Sequence, residues 1–159
     1  MCRQRDHSEA KSDLSSLIFE MSPVLDHRPW VFVSVTTDPA ACLRDKPLAI
    51  FPKSEGVTLV PRHEDAREIT NCSATFARIL LQIHSSLEAV GLTAAVAQAL
   101  ASEAISANHT AAYYPDHIFV PFDQADGALM CLTSLSERKQ TEGTDRPRGC
   151  LEAPIRCIK

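Results

Sequence analysis

The sequence has no concentrated run of Lys or Arg, and its formal net charge is -4. It therefore offers no face that could neutralise a row of phosphates, which argues against a nucleic-acid partner. It has no CxxC pair. Its cysteines, Cys2, Cys42, Cys72, Cys131, Cys150 and Cys157, are scattered, so neither a zinc site nor a redox dithiol is expected, and the thiols are read as reduced. It has no apolar signal core or membrane-spanning run. The N-terminal MCRQRDHSEAKSD is polar, and LSSLIFEMSPVL is broken by Glu20 and Pro23, so a cytoplasmic location without a membrane partner is expected. A P-loop, a dinucleotide glycine fingerprint and a nucleophile–base arrangement are all missing. No catalytic residue is assigned, and an enzyme is the least supported class.

What is present is a hydrophobic content of 45%, enough for an ordinary buried core. Residues 1–13 are polar and expected to be disordered. Leu14, Leu17, Ile18 and Met21 then recur at helical spacing behind a Ser12-Asp13 start signal,. WVFVSV at 30–35 is a β-branched and aromatic run, and LAIFPKSEGVTLV reads as two strands joined around Ser54-Glu55-Gly56, with Pro52 shortening the first,. In TFARILLQI, Ala77, Ile79, Leu81 and Ile83 alternate with Arg78 and Gln82, the pattern of a half-buried strand,.

After Gly91 the period changes. Leu92, Ala95, Val96, Ala99 and Leu100 form the stripe of a helix packed on a sheet,. ISANHTAAYY and HIFVPF predict a hairpin around Pro115-Asp116, and Asp123 is expected to cap a last helix carrying Ala125, Ala128, Leu129, Leu132 and Leu135,. VTLVPRHEDA and IFVPFDQADGAL both run from strand through Val-Pro into an acidic helix start, an echo that suggests two related halves meeting near Asn71 to Ser73,. From Glu137 the apolar period is lost and charges mix, which predicts a flexible tail over 137–159,.

An uncharged helix that begins at a glycine carries unpaired backbone N–H groups and a partial positive charge, and a glycine lets a carboxylate approach closely. Gly91 therefore either meets a ligand, serves chain geometry alone, or is a tolerated residue within a longer helix starting at Ser85,. Ser85-x-x-Glu88 is a capping-box pattern, with Glu88 also able to read a ligand's amino or guanidinium group,. His109 and His117 flank the predicted turn, but no carboxylate or cysteine completes a coordination set by spacing, so no metal is assigned,. His63-Glu64-Asp65 is the polar start of a short helix,.

GLTAAVAQALASEAISA resembles the signature segment of the ACT domain, a ligand-sensing module of ferredoxin-like topology. HSSLEAVGLTAAVAQALASEAISANHTAAYYPDHIFVPFDQADGAL, with MSPVL at 21–25 and EGVTLV at 55–60, is similar to short tandem-ACT proteins related to the modules of aspartate kinases and of the CASTOR arginine sensors. The resemblance covers residues 14–136. It implies an α+β fold of two ferredoxin-like (βαββαβ) ACT modules, an irregular first over 14–72 and a second over 73–136.

It also implies a site at Val90, Gly91, Leu92 and Thr93, with Ile105, Ser106 and Asn108 on the neighbouring strand. The sequence departs from the family pattern at His109-Thr110, Ala112 and Pro115. The implied function is that of an allosteric regulatory sensor. It would bind an amino acid or similar small molecule without a cofactor, and it would pair as a homodimer or with another ACT-containing protein. The rival is a ligand-free dimerisation or protein-interaction module.

Overall fold

A computed structural model describes residues 13–36, 47–66, 74–83, 89–112 and 115–144. In chain order they form α1 (Leu14–Glu20), β1 (Ser22–Trp30), β2 (Val33–Val35), β3 (Ile50–Lys53), β4 (Gly56–Leu59) and α2 (His63–Ala66). Then follow β5 (Phe76–Gln82), α3 (Leu92–Ser102), β6 (Asn108–Thr110), β7 (Asp116–Pro121), a one-turn 3-10 helix (Phe122–Gln124) and α4 (Ala125–Thr144).

Local chemistry sets several of these boundaries. Asp13 caps α1, its Oδ2 accepting from the Ser16 N–H at 2.9 Å, a contact worth about 1 kcal/mol. β3 and β4 form a hairpin across Ser54-Glu55, and Pro52 sits in β3, where a missing N–H is tolerated because that strand is an edge,. In β5 the predicted alternation holds: Ala77, Ile79 and Leu81 are fully buried. Leu92, Val96 and Leu100 form the buried stripe of α3, and Ala128 and Leu132 do the same for α4. With Leu17 and Ile18 of α1 and Ile118 and Val120 of β7 they make one core between the helices and a sheet.

That sheet has the order β1-β5-β7-β6, and a second, three-stranded sheet has the order β2-β4-β3. Both are antiparallel, so the architecture is α+β as expected. The sheets do not divide the chain into consecutive halves. β1, from the first half, pairs along β5 from Ser22↔Gln82 to Asp26↔Arg78, and after an irregularity Trp30 pairs with Phe76. The boundary expected at Asn71 to Ser73 lies outside the described residues.

The expected single strand over 30–35 is two pieces. β1 ends at Trp30, the backbone of Val31 bonds to Pro61, and β2 begins at Val33 in the other sheet. Trp30, Val60 and Phe119, with Phe32 and Phe76 packed against them, form a second core on the sheet face away from the helices. The tail expected from Glu137 begins instead as helix, since α4 continues to Thr144. Asp123 lies inside the 3-10 turn that leads into α4, not at a simple cap. Residues 1–12 and 145–159 lie outside the described residues.

Candidate functional site

Gly91 sits immediately before α3 with φ 99° and ψ -17°, a left-handed conformation that glycine adopts without a steric penalty. A Cβ there would lie 3.0 Å from Leu14 Cδ2 of α1, so both backbone geometry and close packing favour glycine. The first intrahelical bond runs from the Ala95 N–H to the Gly91 carbonyl at 2.9 Å, and Gly91 at the N-cap contributes no side-chain cap. The N–H groups of the first turn are thus presented with their partial positive charge.

The residues expected to line one ligand site fall into two groups. Val90 is 82% exposed beside Gly91, and Thr93 is exposed on the first turn. Leu92 is 4% exposed and belongs to the core, so only its backbone N–H is available to a ligand. Ile105, Ser106 and Asn108 follow the other end of α3, which at 11 residues separates the groups by about 16 Å. Ile105 is a core residue, while Ser106 and Asn108 are exposed. Glu88, with His84 and Ser85, lies outside the described residues.

The positions that depart from the family pattern form a structure of their own. His109 Nε2 lies 3.3 Å from Asp116 Oδ2, and the Ala112 N–H donates to Asp116 Oδ1 at 3.3 Å. The hydrogen bond from His109 comes first among the causes that hold the Asp116 carboxyl below its usual range; burial opposes it. This carboxylate therefore ties β6 to β7 at the mouth of the hairpin.

Sequence reasoning missed a charged network on the opposite sheet face. The Asp26 carboxylate accepts from Arg28 Nε at 2.8 Å, Arg28 Nη2 at 2.9 Å and the Arg28 backbone N–H at 3.2 Å. It also accepts from Arg78 Nη2 at 2.7 Å across the β1–β5 pair. Burial alone would push the Asp26 carboxyl up, but the Arg28 hydrogen bonds and the charges of Arg78 and Arg28 hold it well below the usual carboxylate range. The Arg78 guanidinium lies 4.6 Å from the Trp30 ring centroid, and Arg62 covers the same indole at 5.8 Å. One signal for this network was present: Arg78 alternates with fully buried residues in β5, and a half-buried arginine in a strand needs a carboxylate.

Among the described residues, no three His, Cys, Asp or Glu side chains gather as metal ligands. No helix among them is long and apolar enough to cross a membrane. A groove of 510 Å³ runs between the end of α3 and α4, with Ile105 and Met130 on its walls and Glu103 and Asp123 among its lining residues. A tighter cavity of 160 Å³ is lined by Arg28, Pro29, Arg62, His63 and Glu64.

Two family models, each described as an ACT domain, match residues 9–78 and 77–134. A crystal structure from Vibrio cholerae, described as a protein of unknown function and possible transport protein, is 44% identical with a TM-score of 0.70. The match covers 77% of this chain and 95% of that one. The Clostridium acetobutylicum aspartate kinase is 8% identical over 73% of this chain and 34% of its own, with a TM-score of 0.56. The ligand-free regulatory subunit of aspartate kinase from Thermus thermophilus is 13% identical over 71% and 95%, with a TM-score of 0.51. These two likenesses are of fold. No curated protein matches the chain.

Proposed function

The chain belongs to the ACT-domain family, and from that premise we propose that it is a regulatory sensor that binds an amino acid or a similar small molecule. ACT domains typically bind amino acids for regulation. The observation that carries the reading is the start of α3 at left-handed Gly91, where backbone donors and the helix dipole lie beside the exposed Val90 and Thr93,. A ligand carboxylate would bind there. Its binding shifts an equilibrium between module or subunit arrangements only through differential affinity for them, and a homodimer or another ACT-containing protein would receive the change.

A thermal-shift screen of the full chain against the proteinogenic amino acids tests this. A ligand that binds only the native state raises Tm in a dose-dependent way. Val90→Asp is the sharper companion to any change at Gly91, because Val90 is 82% exposed and a carboxylate near a helix N-terminus does not oppose folding. It should weaken a carboxylate ligand by about tenfold or more through repulsion while leaving the unliganded Tm unchanged. An amino-acid response that Val90→Asp does not alter would remove the site from the Gly91 turn.

The second reading, a ligand-free dimerisation or interaction module, is favoured by the same glycine's packing. Leu14 stands 3.0 Å from the missing Cβ and φ is 99°, so Gly91 is required by the chain itself. β1 and β6 are the edge strands of the four-stranded sheet, and unpaired edges are what such a module would use. A flat amino-acid screen together with a stable dimer in sedimentation would select this reading.

A further inference from the structure

One groove of the molecule is acidic and apolar at once. It runs between the end of α3 and α4 with a volume of 510 Å³, and its lining includes Glu103 and Asp123, Ile105 and Met130, without a Lys or Arg. Met130 is 71% exposed in the second turn of α4, and Gly127 adds no side chain to the same wall. A fitting occupant carries positive charge and an aliphatic side chain together.

The chain itself carries such a segment. Residues 145–159, DRPRGCLEAPIRCIK, follow α4 and hold Arg146, Arg148, Arg156 and Lys159 against Asp145 and Glu152, with Leu151, Ile155 and Ile158 among them. Pro147 cannot continue a helix and Gly149 permits a reversal, so 145–149 is a place for the chain to turn back. The lengths agree. At about 1.5 Å per helical residue, Met130 lies about 21 Å and Asp123 about 31 Å from Thr144. An extended chain covers about 3.3 Å per residue, so a chain returning from Gly149 reaches the level of Met130 at Ile155 and that of Asp123 near Lys159. In an extended segment these two side chains share a side.

We propose that residues 150–159 dock along this groove of their own chain, antiparallel to α4, with Ile155 against Met130 and Lys159 facing Asp123 and Glu103. Docking covers the exposed Met130 and ties α4 to the end of α3. The groove lies at the opposite end of α3 from Gly91, 11 helical residues away, so docking there is independent of what the Gly91 turn binds.

Lys159 is the only lysine in residues 145–159, and a carbodiimide joins an amine to a carboxylate only where the two are in contact. The test treats the full chain as an equal mixture of unlabelled and isotope-labelled protein and reads the linked peptides by mass spectrometry. The expected result is an amide from Lys159 to Asp123 or Glu103, found within chains of one isotope only.

Met130→Arg is the companion variant. Met130 is 71% exposed and arginine suits a helix interior, so the fold is kept while the groove loses an apolar contact and gains a repelling charge. The yield of the link should fall about fivefold or more. A Lys159 that links only to other carboxylates, or to none, would overturn the proposal, as would a yield that Met130→Arg leaves unaltered. Amides joining chains of different isotope would put the segment of a second copy in the groove and overturn docking within one chain.

Discussion

Replacing Asp26 with asparagine should destabilise the fold by about 3–5 kcal/mol, the loss expected when one partner of a buried ion pair is removed. The Asp26 side chain is 9% exposed and that of Arg78 12%. Asparagine keeps the volume but not the charge, so Arg78 is left beneath the sheet with no compensating carboxylate at 2.7 Å. Much of the penalty belongs to that stranded charge, and a second change should recover it. Asp26→Asn combined with Arg78→Met should be more stable than Asp26→Asn alone, because no charge is then left buried unpaired.

Arg28→Ala gives the contrast. Its side chain is 51% exposed, and removing a solvent-screened partner should cost about 1 kcal/mol or less. Urea denaturation of the four proteins measures all three differences. If Asp26→Asn costs no more than Arg28→Ala, the network behaves as a surface ion pair and not as the pin between β1 and β5.

This pin also explains which parts of the fold could be read in advance. The helices α1 and α3, the hairpin β3–β4 and the strand β5 each carry their own period and end signals, so local chemistry was sufficient. β1 carries none. Its sequence SPVLDHRPW has Pro23, Pro29 and three residues with ionisable side chains, and it holds its place as an edge strand through pairing with β5 and the Asp26–Arg78 contact 52 residues away in sequence. Propensity cannot see a strand that is specified by a distant partner.

The end of α4 was missed for the opposite reason: beyond Leu135 the apolar period fades, yet the helix extends to Thr144. At the candidate site a helix after Gly91 was legible from the change of period there, whereas the left-handed backbone of Gly91 was not. Ile105, Ser106 and Asn108 were grouped with Gly91 by the family resemblance, and within one chain the 11 residues of α3 stand between them. For the network around Trp30, Arg78 in β5 was the one sequence signal. Its members come from β1, β5 and the segment before α2, and only the crossing of the chain between two sheets brings them together.

Acid should destabilise the protein in two stages, and His117 should account for the first. Burial is the larger cause that lowers the His117 pKa, the charge of Arg78 adds to it, and Asp116 opposes both. The imidazole faces Arg78 on β5 and sits beside Asp116 on its own strand, with Nδ1 buried and unpartnered. A histidine whose folded pKa lies below its unfolded value of 6.5 binds its proton more readily when unfolded.

Its contribution is therefore complete above about pH 6.5 and is lost as pH falls toward the folded pKa, with a slope of at most about 1.4 kcal/mol per pH unit for one proton. The depressed carboxyls of Asp116 and Asp26 act lower. Each contributes stability above its unfolded value near 3.8 and loses it as pH falls through the folded one,. Urea midpoints measured across this range should show a decline beginning near pH 6.5 and a steeper one below about pH 4. His117→Gln should flatten the first decline and leave the second in place. If His117→Gln keeps the first decline, its origin is another group, and the burial of His117 near the charge of Arg78 does not govern the acid response.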